Sequence, residues 1–268
     1  MGQRRQIAGS RILITGASQG IGRALAIEAA RQGAKVLATA RQADLLRELK
    51  SSGKTIETLA ADVTVPADRQ AMLDTMIRLF GGMDILVNNA GIGATGHFAE
   101  ATEDRLRQVF EVNFFGLAEL TRVCVPLLKS GTRPVVVNVS SIVGKRGLPG
   151  RSEYSASKFA VQGLSEALRA ELAIYGIDVI VINPGLTQTN FSSNMLERKS
   201  LLKVDHMRGM TAEQVAVASL WAIAKGKNEV TFTAQGKLFV FLSRFFPRLV
   251  DRIAARRVRA LYGRGAAE

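Results

Sequence analysis

Short apolar runs rich in Val, Ile and Leu alternate along the chain with longer segments whose apolar positions recur at helical spacing. Within the short runs, apolar and polar residues do not alternate, which is typical of strands buried on both faces of a sheet. The predicted strands cover residues 11–14, 35–39, 56–60, 84–87, 134–139, 178–182 and 229–232.

Helical patterns lie between these strands and after them. They cover a segment that ends at about Gln32, and residues 67–80, 102–128, 154–175 and 211–225. This regular exchange predicts an α/β fold with a single doubly wound, Rossmann-type parallel sheet and helices on both faces. No repeat or low-complexity linker divides it. We therefore expect one domain over residues 1–236 and a C-terminal extension over residues 237–268.

A glycine-rich turn follows the first predicted strand, with the sequence Thr15-Gly-Ala-Ser-Gln-Gly-Ile-Gly22. A strand, a glycine turn and a helix N-terminus together form a cradle for phosphate, because free N–H groups and the helix dipole attract an anion. The spacing is G-x-x-x-G-x-G rather than the commoner G-x-G-x-x-G. The simpler alternative is a tight strand-to-helix turn, but the position between strand and helix favours a nucleotide site.

The end of the second strand bears on which dinucleotide is bound. A carboxylate there would accept hydrogen bonds from the adenosine ribose 2′-hydroxyl, but the chain has Ala40 followed by Arg41. A guanidinium pairs with a 2′-phosphate, whereas a carboxylate repels it. The sequence therefore favours NADP(H) over NAD, the alternative being that Arg41 is a solvated residue at the start of the next helix.

The pair Tyr154 and Lys158 lies at the start of a long helical pattern. A spacing of four residues places both side chains on one helix face. A nearby cation favours the phenolate and so is expected to lower the Tyr154 pKa from its usual value of roughly 10. The pair indicates an acid/base device, although Tyr and Lys one turn apart also occur on many ordinary helices.

Taken together, the motifs resemble the short-chain dehydrogenase/reductase family over about residues 8–190. They are the glycine turn, Asn88-Asn-Ala-Gly91, Asn113, Ser141, Tyr154-x-x-x-Lys158 and Asn183-Pro-Gly185. The resemblance implies an enzyme that transfers hydride with a nicotinamide cofactor. It also implies a homodimer or homotetramer, assembled through the two long helices over residues 102–128 and 152–175.

The resemblance implies four catalytic residues. Tyr154 corresponds to the general acid, and Lys158 to the residue that tunes it and holds the nicotinamide ribose. Ser141 would hydrogen-bond the substrate oxygen where negative charge develops. Asn113 resembles the residue that holds a water relay to the lysine, and the alternative is an ordinary buried contact to backbone.

The residues expected to contact the cofactor are Gly16, Ser18, Gln19, Gly20, Ile21, Gly22, Arg41, Asp62, Val63, Asn89, Ala90, Gly91, Tyr154, Lys158, Pro184, Gly185, Thr187 and Thr189. Asp62, Val63, Asn89 and Ala90 match positions on the adenosine side. Thr187 and Thr189 resemble residues that fix the nicotinamide carboxamide.

Two segments are expected to line the substrate pocket: residues 142–153 and a mobile lid over residues 191–210. The lid mixes apolar and basic residues, which suits an apolar ketone, aldehyde or secondary alcohol with or without an acidic group. The alternative for the lid is a surface helix with a solvated charged face.

Composition excludes several other classes. His97 and His206 are isolated, so no metal site is predicted. Cys124 is the only cysteine and lies among apolar residues, which indicates a core position in a reducing compartment. No apolar run is long enough to span a bilayer and no secretory signal is apparent, so we expect a cytoplasmic protein.

The formal net charge of +13 is concentrated in the C-terminal part, where residues 191–268 carry 14 basic and 6 acidic groups. Along residues 248–262 the arginines share one helical face and apolar residues cover the other, with Arg257 the exception. Such a helix resembles a membrane-surface anchor, and packing on the domain or a partner subunit is the equally weighted alternative. No nucleic-acid-binding motif is present. A catalytically silent dinucleotide-binding regulator or membrane-associated scaffold is the competing class.

Overall fold

A computed structural model describes residues 4–191, 195–202 and 209–263. In this part of the chain seven parallel strands form one sheet, in the order β3-β2-β1-β4-β5-β6-β9. The strands are β1 (Arg11–Thr15), β2 (Lys35–Ala40), β3 (Ile56–Ala60), β4 (Ile85–Asn88), β5 (Val135–Val139), β6 (Asp178–Asn183) and β9 (Glu229–Thr231). The doubly wound parallel sheet predicted from the sequence is confirmed. A separate pair, β7 (Thr187–Gln188) and β8 (Met210–Thr211), lies beyond β6.

Helices cover both faces of this sheet. They are α1 (Gly20–Arg31), α2 (Ala43–Lys50), α3 (Pro66–Phe80), α4 (Glu103–Phe110), α5 (Gly116–Lys129), α6 (Ser152–Glu171), α7 (Ala212–Ala224), α8 (Ala234–Phe245) and α9 (Pro247–Tyr262). All five residues of the interior strand β5 are buried. Alternate residues of β1 enter two separate apolar clusters, Ile12 and Ile14 in one and Leu13 in the other. Burial on both faces explains the continuous apolar runs.

The helix predicted over residues 102–128 is divided in the structure. A π-helical turn over Glu111–Phe115 separates α4 from α5. Single π turns are often found at functional sites because they redirect a side chain. Here the turn contains Asn113, which is fully buried. Cys124, on α5, is also buried in the core, as predicted.

The sheet topology brings the sequence motifs to one edge. Strand β1 lies between β2 and β4, so the chain leaves β1 on one side of the sheet and returns to β4 on the other. A crevice forms at this switch point, outside the carboxyl ends of the strands. The glycine turn, Asn89, Ser141 and Gly185 each follow the carboxyl end of a strand.

The C-terminal extension consists of α8 and α9, and α8 begins at Ala234, three residues before the predicted boundary. The side chain of Arg146 pairs with Asp251 of α9, and the Tyr262 hydroxyl accepts a hydrogen bond from the Leu201 N–H at 2.9 Å. The apolar side of α9 is split. Val250, Ala254, Val258 and Tyr262 are partly buried, whereas Leu249 and Ile253 are more than half exposed.

Within the described ranges, no helix is both long enough and apolar enough to cross a membrane. Of the predicted lid, residues 192–194 and 203–208 lie outside the described residues, and so does His206. Residues 195–199 run beside residues 93–95, where the N–H of Thr95 donates to the carbonyl of Glu197 at 2.9 Å.

Candidate active site

The glycine turn has the close backbone packing expected of a phosphate cradle. Gly16 has a φ of +63°, and a Cβ there would lie 2.7 Å from the Ala90 Cα. A Cβ on Gly22 would overlap the Asn89 side chain and the carbonyl of Gly16. The Asn89 amide donates to the carbonyls of Thr15 and Gly16 at 2.9 and 3.0 Å, so β4 holds the turn in place. Only glycine fits at these two positions without displacing backbone.

The N-terminus of α1 is open to an anion. Gln19, which precedes the helix, makes no side-chain hydrogen bond to the first turn, and this turn contains no acidic residue. The N–H groups of a first helical turn have no partner within the helix. Together with the small residues of the turn, these donors and the positive end of the helix dipole fit the pyrophosphate of a dinucleotide.

Arg41 follows β2 and lines the same crevice. Its side chain is 61% exposed, and the nearest carboxylate oxygen, on Asp62, is 3.9 Å away. Such a long, exposed ion pair holds the guanidinium weakly. Beside it, the Ser18 hydroxyl donates to the Gln42 side chain at 2.9 Å. A cation that is exposed in the crevice and only weakly paired can turn to a phosphate.

Tyr154, Lys158 and Ser141 meet at the other end of the crevice. The Lys158 ammonium is buried, donates to the Val139 carbonyl at 2.9 Å and lies 5.7 Å from the centre of the Tyr154 ring. The Ser141 hydroxyl follows β5 and lies near the carbonyl of Pro184 at 3.4 Å. Tyr154 and Lys158 come from one face of α6, as their spacing predicts.

Burial governs the ionisation of this cluster. It raises the pKa of the Tyr154 phenol to about 12, opposed by the charge of Arg151 and by hydrogen bonding with Ser141. Burial lowers the pKa of Lys158 to about 8. The net shift of the Tyr154 pKa is therefore upward, opposite to the lowering expected beside a cation, because the loss of solvation outweighs the charge of Arg151 and the hydrogen bond with Ser141. At neutral pH the phenol is protonated.

The side chain of Asn113 makes three hydrogen bonds to the protein. Its Oδ1 accepts from the Ile92 N–H at 2.8 Å, and its Nδ2 donates to the Ile92 carbonyl and the Ser157 hydroxyl at 2.9 and 3.0 Å. The ordinary buried contact considered from the sequence is thus present. These bonds attach the π turn both to the loop after β4 and to α6, beside Lys158.

Beyond β6, the chain folds over the glycine turn. The Thr187 hydroxyl donates to the Gly185 carbonyl at 3.3 Å, and the Thr189 hydroxyl accepts from the Phe191 N–H at 3.3 Å. A Cβ on Gly20 would lie 3.4 Å from the Thr189 side chain. The segment therefore lies against the glycine turn at the start of α1.

One crevice, with about 1640 Å³ of space including its open mouth, contains nearly all of the predicted site residues. The predicted residues that line it are Gly16, Ser18, Gln19, Gly20, Ile21, Arg41, Asp62, Val63, Asn89, Ala90, Gly91, Ser141, Tyr154, Lys158, Pro184, Gly185, Thr187 and Thr189. Gly22 and Asn113 do not line it but support residues that do.

The sequence reasoning missed several residues of the crevice. Gln42 bonds Ser18, and the carbonyl of Val139 receives Lys158. Leu148 and Phe191, by contrast, belong to the two segments expected to line the substrate pocket, and both line the crevice, with the ring of Phe191 5.6 Å from that of Tyr154. Gln42 could have been predicted because it follows Arg41 directly. The Val139 carbonyl could not, because every residue has a backbone carbonyl.

The family model described as short chain dehydrogenase matches residues 10–200. The chain belongs to the short-chain dehydrogenase/reductase family. Mouse dehydrogenase/reductase SDR family member 7B is 34% identical, over 92% of this chain and 81% of its own length. The uncharacterized oxidoreductase YxnA of Bacillus subtilis is 35% identical, over 90% and 70%. The 3-ketodihydrosphingosine reductase of Bacteroides thetaiotaomicron is 38% identical, over 68% and 66%.

Solved structures of the short-chain dehydrogenase/reductase family have the same fold. A Burkholderia phymatum member in complex with NAD is 26% identical, with a TM-score of 0.82 over 91% of this chain and 96% of its own. A Burkholderia cenocepacia member in complex with NADP is 27% identical, with a TM-score of 0.79 over 93% and 99%. Such neighbours thus bind either nicotinamide cofactor, and the present chain is an oxidoreductase of their family.

Proposed function

We propose that the protein is an NADP(H)-dependent oxidoreductase that transfers hydride between the nicotinamide and an apolar ketone, aldehyde or secondary alcohol. The observation that carries this proposal is the crevice itself, in which the open glycine turn and the Ser141, Tyr154 and Lys158 cluster lie on one continuous wall. The first fits a dinucleotide, and the second fits a carbonyl oxygen that gains charge.

In the reductive direction, a bound nicotinamide supplies the hydride. Negative charge then develops on the substrate oxygen, and the hydroxyl of Ser141 donates a hydrogen bond to it. Tyr154 gives the proton, which its raised pKa of about 12 keeps in place at neutral pH. Oxidation runs the same proton path in reverse, with the phenolate as base.

Lys158 and Asn113 support this proton transfer. With a pKa of about 8, the buried ammonium is charged at neutral pH, and it stabilises the phenolate left after donation. Asn113 connects Ile92 and Ser157 around the lysine, so we assign it to positioning and, with a water, to the proton relay. The cofactor-contact roles given for the residues of the crevice are part of the same proposal.

The preference for NADP(H) is supported by two observations. The end of β2 has no carboxylate to bind a 2′-hydroxyl or repel a phosphate, and Arg41 lies exposed in the crevice, with a weak ion pair to Asp62 at 3.9 Å. One solved family member is in complex with NADP, which is compatible with this assignment. Another is in complex with NAD, which is compatible with the alternative cofactor.

We further propose that the protein binds peripherally to anionic membranes through its C-terminal extension. Among residues 234–263 there are seven cations and one carboxylate. The large apolar side chains exposed on this surface are Leu238, Phe241, Leu242, Phe245, Phe246, Leu249, Ile253 and Leu261. Exposed aromatics beside arginines fit the boundary of an anionic bilayer. A second copy of the same surface would bring like charges together, so partner-subunit packing is less favourable here.

The homodimer or homotetramer expected from the family also remains part of the proposal. Phe115 and Phe159, near the start of α5 and on α6, are 50% and 45% exposed. Apolar side chains on two long helices supply a surface for self-association.

A substrate screen tests the main proposal. Consumption of NADPH is followed by absorbance with a panel of apolar aldehydes and ketones, with and without detergent. We expect turnover of at least one carbonyl compound by the wild type. Tight NADPH binding without turnover of any compound, in either direction, would instead support a catalytically silent dinucleotide-binding regulator or membrane-associated scaffold.

A further inference from the structure

The loop between Ser141 and Tyr154 carries three cations, of which two have carboxylate partners. Lys145 lies 2.8 Å from a carboxylate oxygen of Glu229. Arg146 pairs with Asp251 of the extension. The third, Arg151, has no carboxylate within 4 Å in the described ranges 4–191, 195–202 and 209–263, nor does its guanidinium make a hydrogen bond there.

Arg151 is placed beside the reacting groups. It immediately precedes α6, three residues before Tyr154, and lines the crevice together with Leu148 and Phe191. The residue is partly buried. Burial lowers the pKa of its guanidinium, and its charge lowers the pKa of Tyr154. The charge of Arg151 therefore interacts electrostatically with the Tyr154 phenol.

A partly buried guanidinium without a carboxylate is energetically unfavourable, because its lost hydration is not replaced by an ion pair. At a pocket wall, the missing partner can be a ligand. The phosphates of the dinucleotide do not supply it, since the glycine turn and Arg41 lie at the other end of the crevice. The partner must therefore arrive with the molecule that approaches Tyr154.

We propose that Arg151 binds a carboxylate carried by the substrate, so that the preferred substrate is an oxo acid or hydroxy acid with an apolar chain. This rests on the function proposed above and narrows its substrate class. The planar guanidinium fork matches a carboxylate with two parallel hydrogen bonds. A phosphate monoester, with a charge near −2, would call for a second cation, but Lys145 and Arg146 are already paired. The apolar chain of the substrate packs against the side chains of Leu148 and Phe191.

The test compares acids with their neutral esters. Wild type, Arg151→Met and Arg151→Lys are assayed with 4-oxononanoate, 6-oxononanoate and the methyl ester of each. Arg146→Met is the matched control, because it removes the same charge from the same loop but not from the crevice wall. We expect Arg151→Met to lower kcat/KM for at least one acid by roughly 10- to 100-fold and for its ester by about threefold or less. Arg151→Lys should recover part of the difference, and Arg146→Met should leave the acid-to-ester ratio unchanged.

Equal losses for acid and ester in Arg151→Met, with a shifted pH profile, would mean that the residue acts only through Tyr154 and would overturn the proposal. So would a wild type that prefers the esters. A binding arm separates this inference from the reductase assignment. Titration calorimetry with nonanoate on the NADP⁺-loaded protein should show weaker binding to Arg151→Met, even if no carbonyl compound is turned over. Equal affinity in both proteins would refute the role of Arg151 independently of catalysis.

Discussion

Tyr154 and Lys158 illustrate how burial sets the chemistry of single residues. The tyrosine keeps its proton because burial disfavours the phenolate, and burial brings the lysine nearer to losing its own proton. Desolvation disfavours whichever form is charged, so it shifts an acid and a base in opposite directions. Carbonyl reduction requires a protonated phenol that can donate its proton, and the proposed acid Tyr154 is in that state, beside a lysine whose pKa is lowered.

Replacing Tyr154 with Phe should abolish turnover while leaving the cofactor bound. Removal of the general acid is expected to reduce kcat by roughly 10²- to 10⁴-fold, and NADPH affinity should stay within about threefold. Absorbance assays give the rate, and NADPH fluorescence gives the affinity. Substantial activity in this variant would refute the assigned acid.

Replacing Arg41 with Ala should weaken NADPH binding by roughly tenfold, with little change for NADH, since only NADPH carries the 2′-phosphate. The predicted effect is modest for a charge-assisted contact because the side chain is 61% exposed. Arg47→Ala is the matched control, since it removes an exposed arginine from the neighbouring helix α2. Equal losses for both cofactors would contradict the 2′-phosphate assignment.

Lys158 should make the cofactor-free protein less stable at neutral pH. Its pKa is about 8 in the folded chain against an ordinary 10.5, so between these values the unfolded chain binds the additional proton. Stability from this group therefore rises as pH increases from about 8 to 10.5 and is lowest below pH 8. We expect Lys158→Met to be inactive yet more stable than wild type by about 1–2 kcal/mol at pH 7, after loss of its hydrogen bond.

Urea unfolding at pH 7 and at pH 10 measures this difference. The advantage of the Met variant should shrink as the pH rises. A constant difference, or a less stable variant at pH 7, would contradict the inferred cost of the buried charge.

At the level of elements, an ion-pair cluster connects three parts of the chain around the substrate side. Arg105 on α4 is buried and pairs with Glu153, beside Tyr154, and with Glu197 of the lid segment. Glu153 is 1% exposed, and its Oε2 has no hydrogen-bond partner among the described residues. Its charge is therefore compensated chiefly by Arg105.

Arg105→Met should destabilise the protein by about 3–5 kcal/mol, because it leaves a buried carboxylate without its cation. Arg107→Met is the matched control on the same helix. Arg107 and its partner Glu103 are each 74% exposed, so this change should cost less than about 1 kcal/mol. Chemical denaturation measures both. If both variants lost a similar free energy of unfolding, the ion-pair cluster around Glu153 would not be a specific source of stability.

At the level of the whole molecule, charge is distributed unevenly. The crevice lies at the carboxyl ends of the strands, while the excess of cations lies towards the C-terminus. The extension also reaches the lid segment through Tyr262, whose hydroxyl bonds Leu201 and whose ring lies 5.5 Å from that of His97. A membrane bound to α8 and α9 would therefore lie near the predicted lid segment.

The double variant Phe241→Ser, Phe245→Ser should lose binding to phosphatidylserine-containing vesicles, while remaining folded, because both rings are more than half exposed. Sedimentation with vesicles measures the effect. Arg252→Ser, Arg256→Ser should reduce binding and its salt dependence together. Wild type that does not sediment with anionic vesicles at low salt, or binding unchanged in both variants, would remove the membrane proposal.

The sequence by itself determined the layered architecture and the end of the sheet at which the motifs meet. Runs of apolar residues such as Val135 to Val139 can be satisfied only between two helical layers, and motifs that end parallel strands must meet at one edge. Spacing along one helix placed Tyr154 with Lys158. Local patterns carry this information because periodicity is a property of neighbouring residues.

Tertiary structure alone decided what depends on residues distant in the chain. It divided the predicted helix at Asn113, raised the Tyr154 pKa instead of lowering it, and left Arg151 without the carboxylate that Lys145 and Arg146 each have. Burial, desolvation and ion pairing are sums over surrounding atoms, most of them far apart in sequence. No pattern of neighbouring residues specifies these sums, which is why they became visible only in the folded chain.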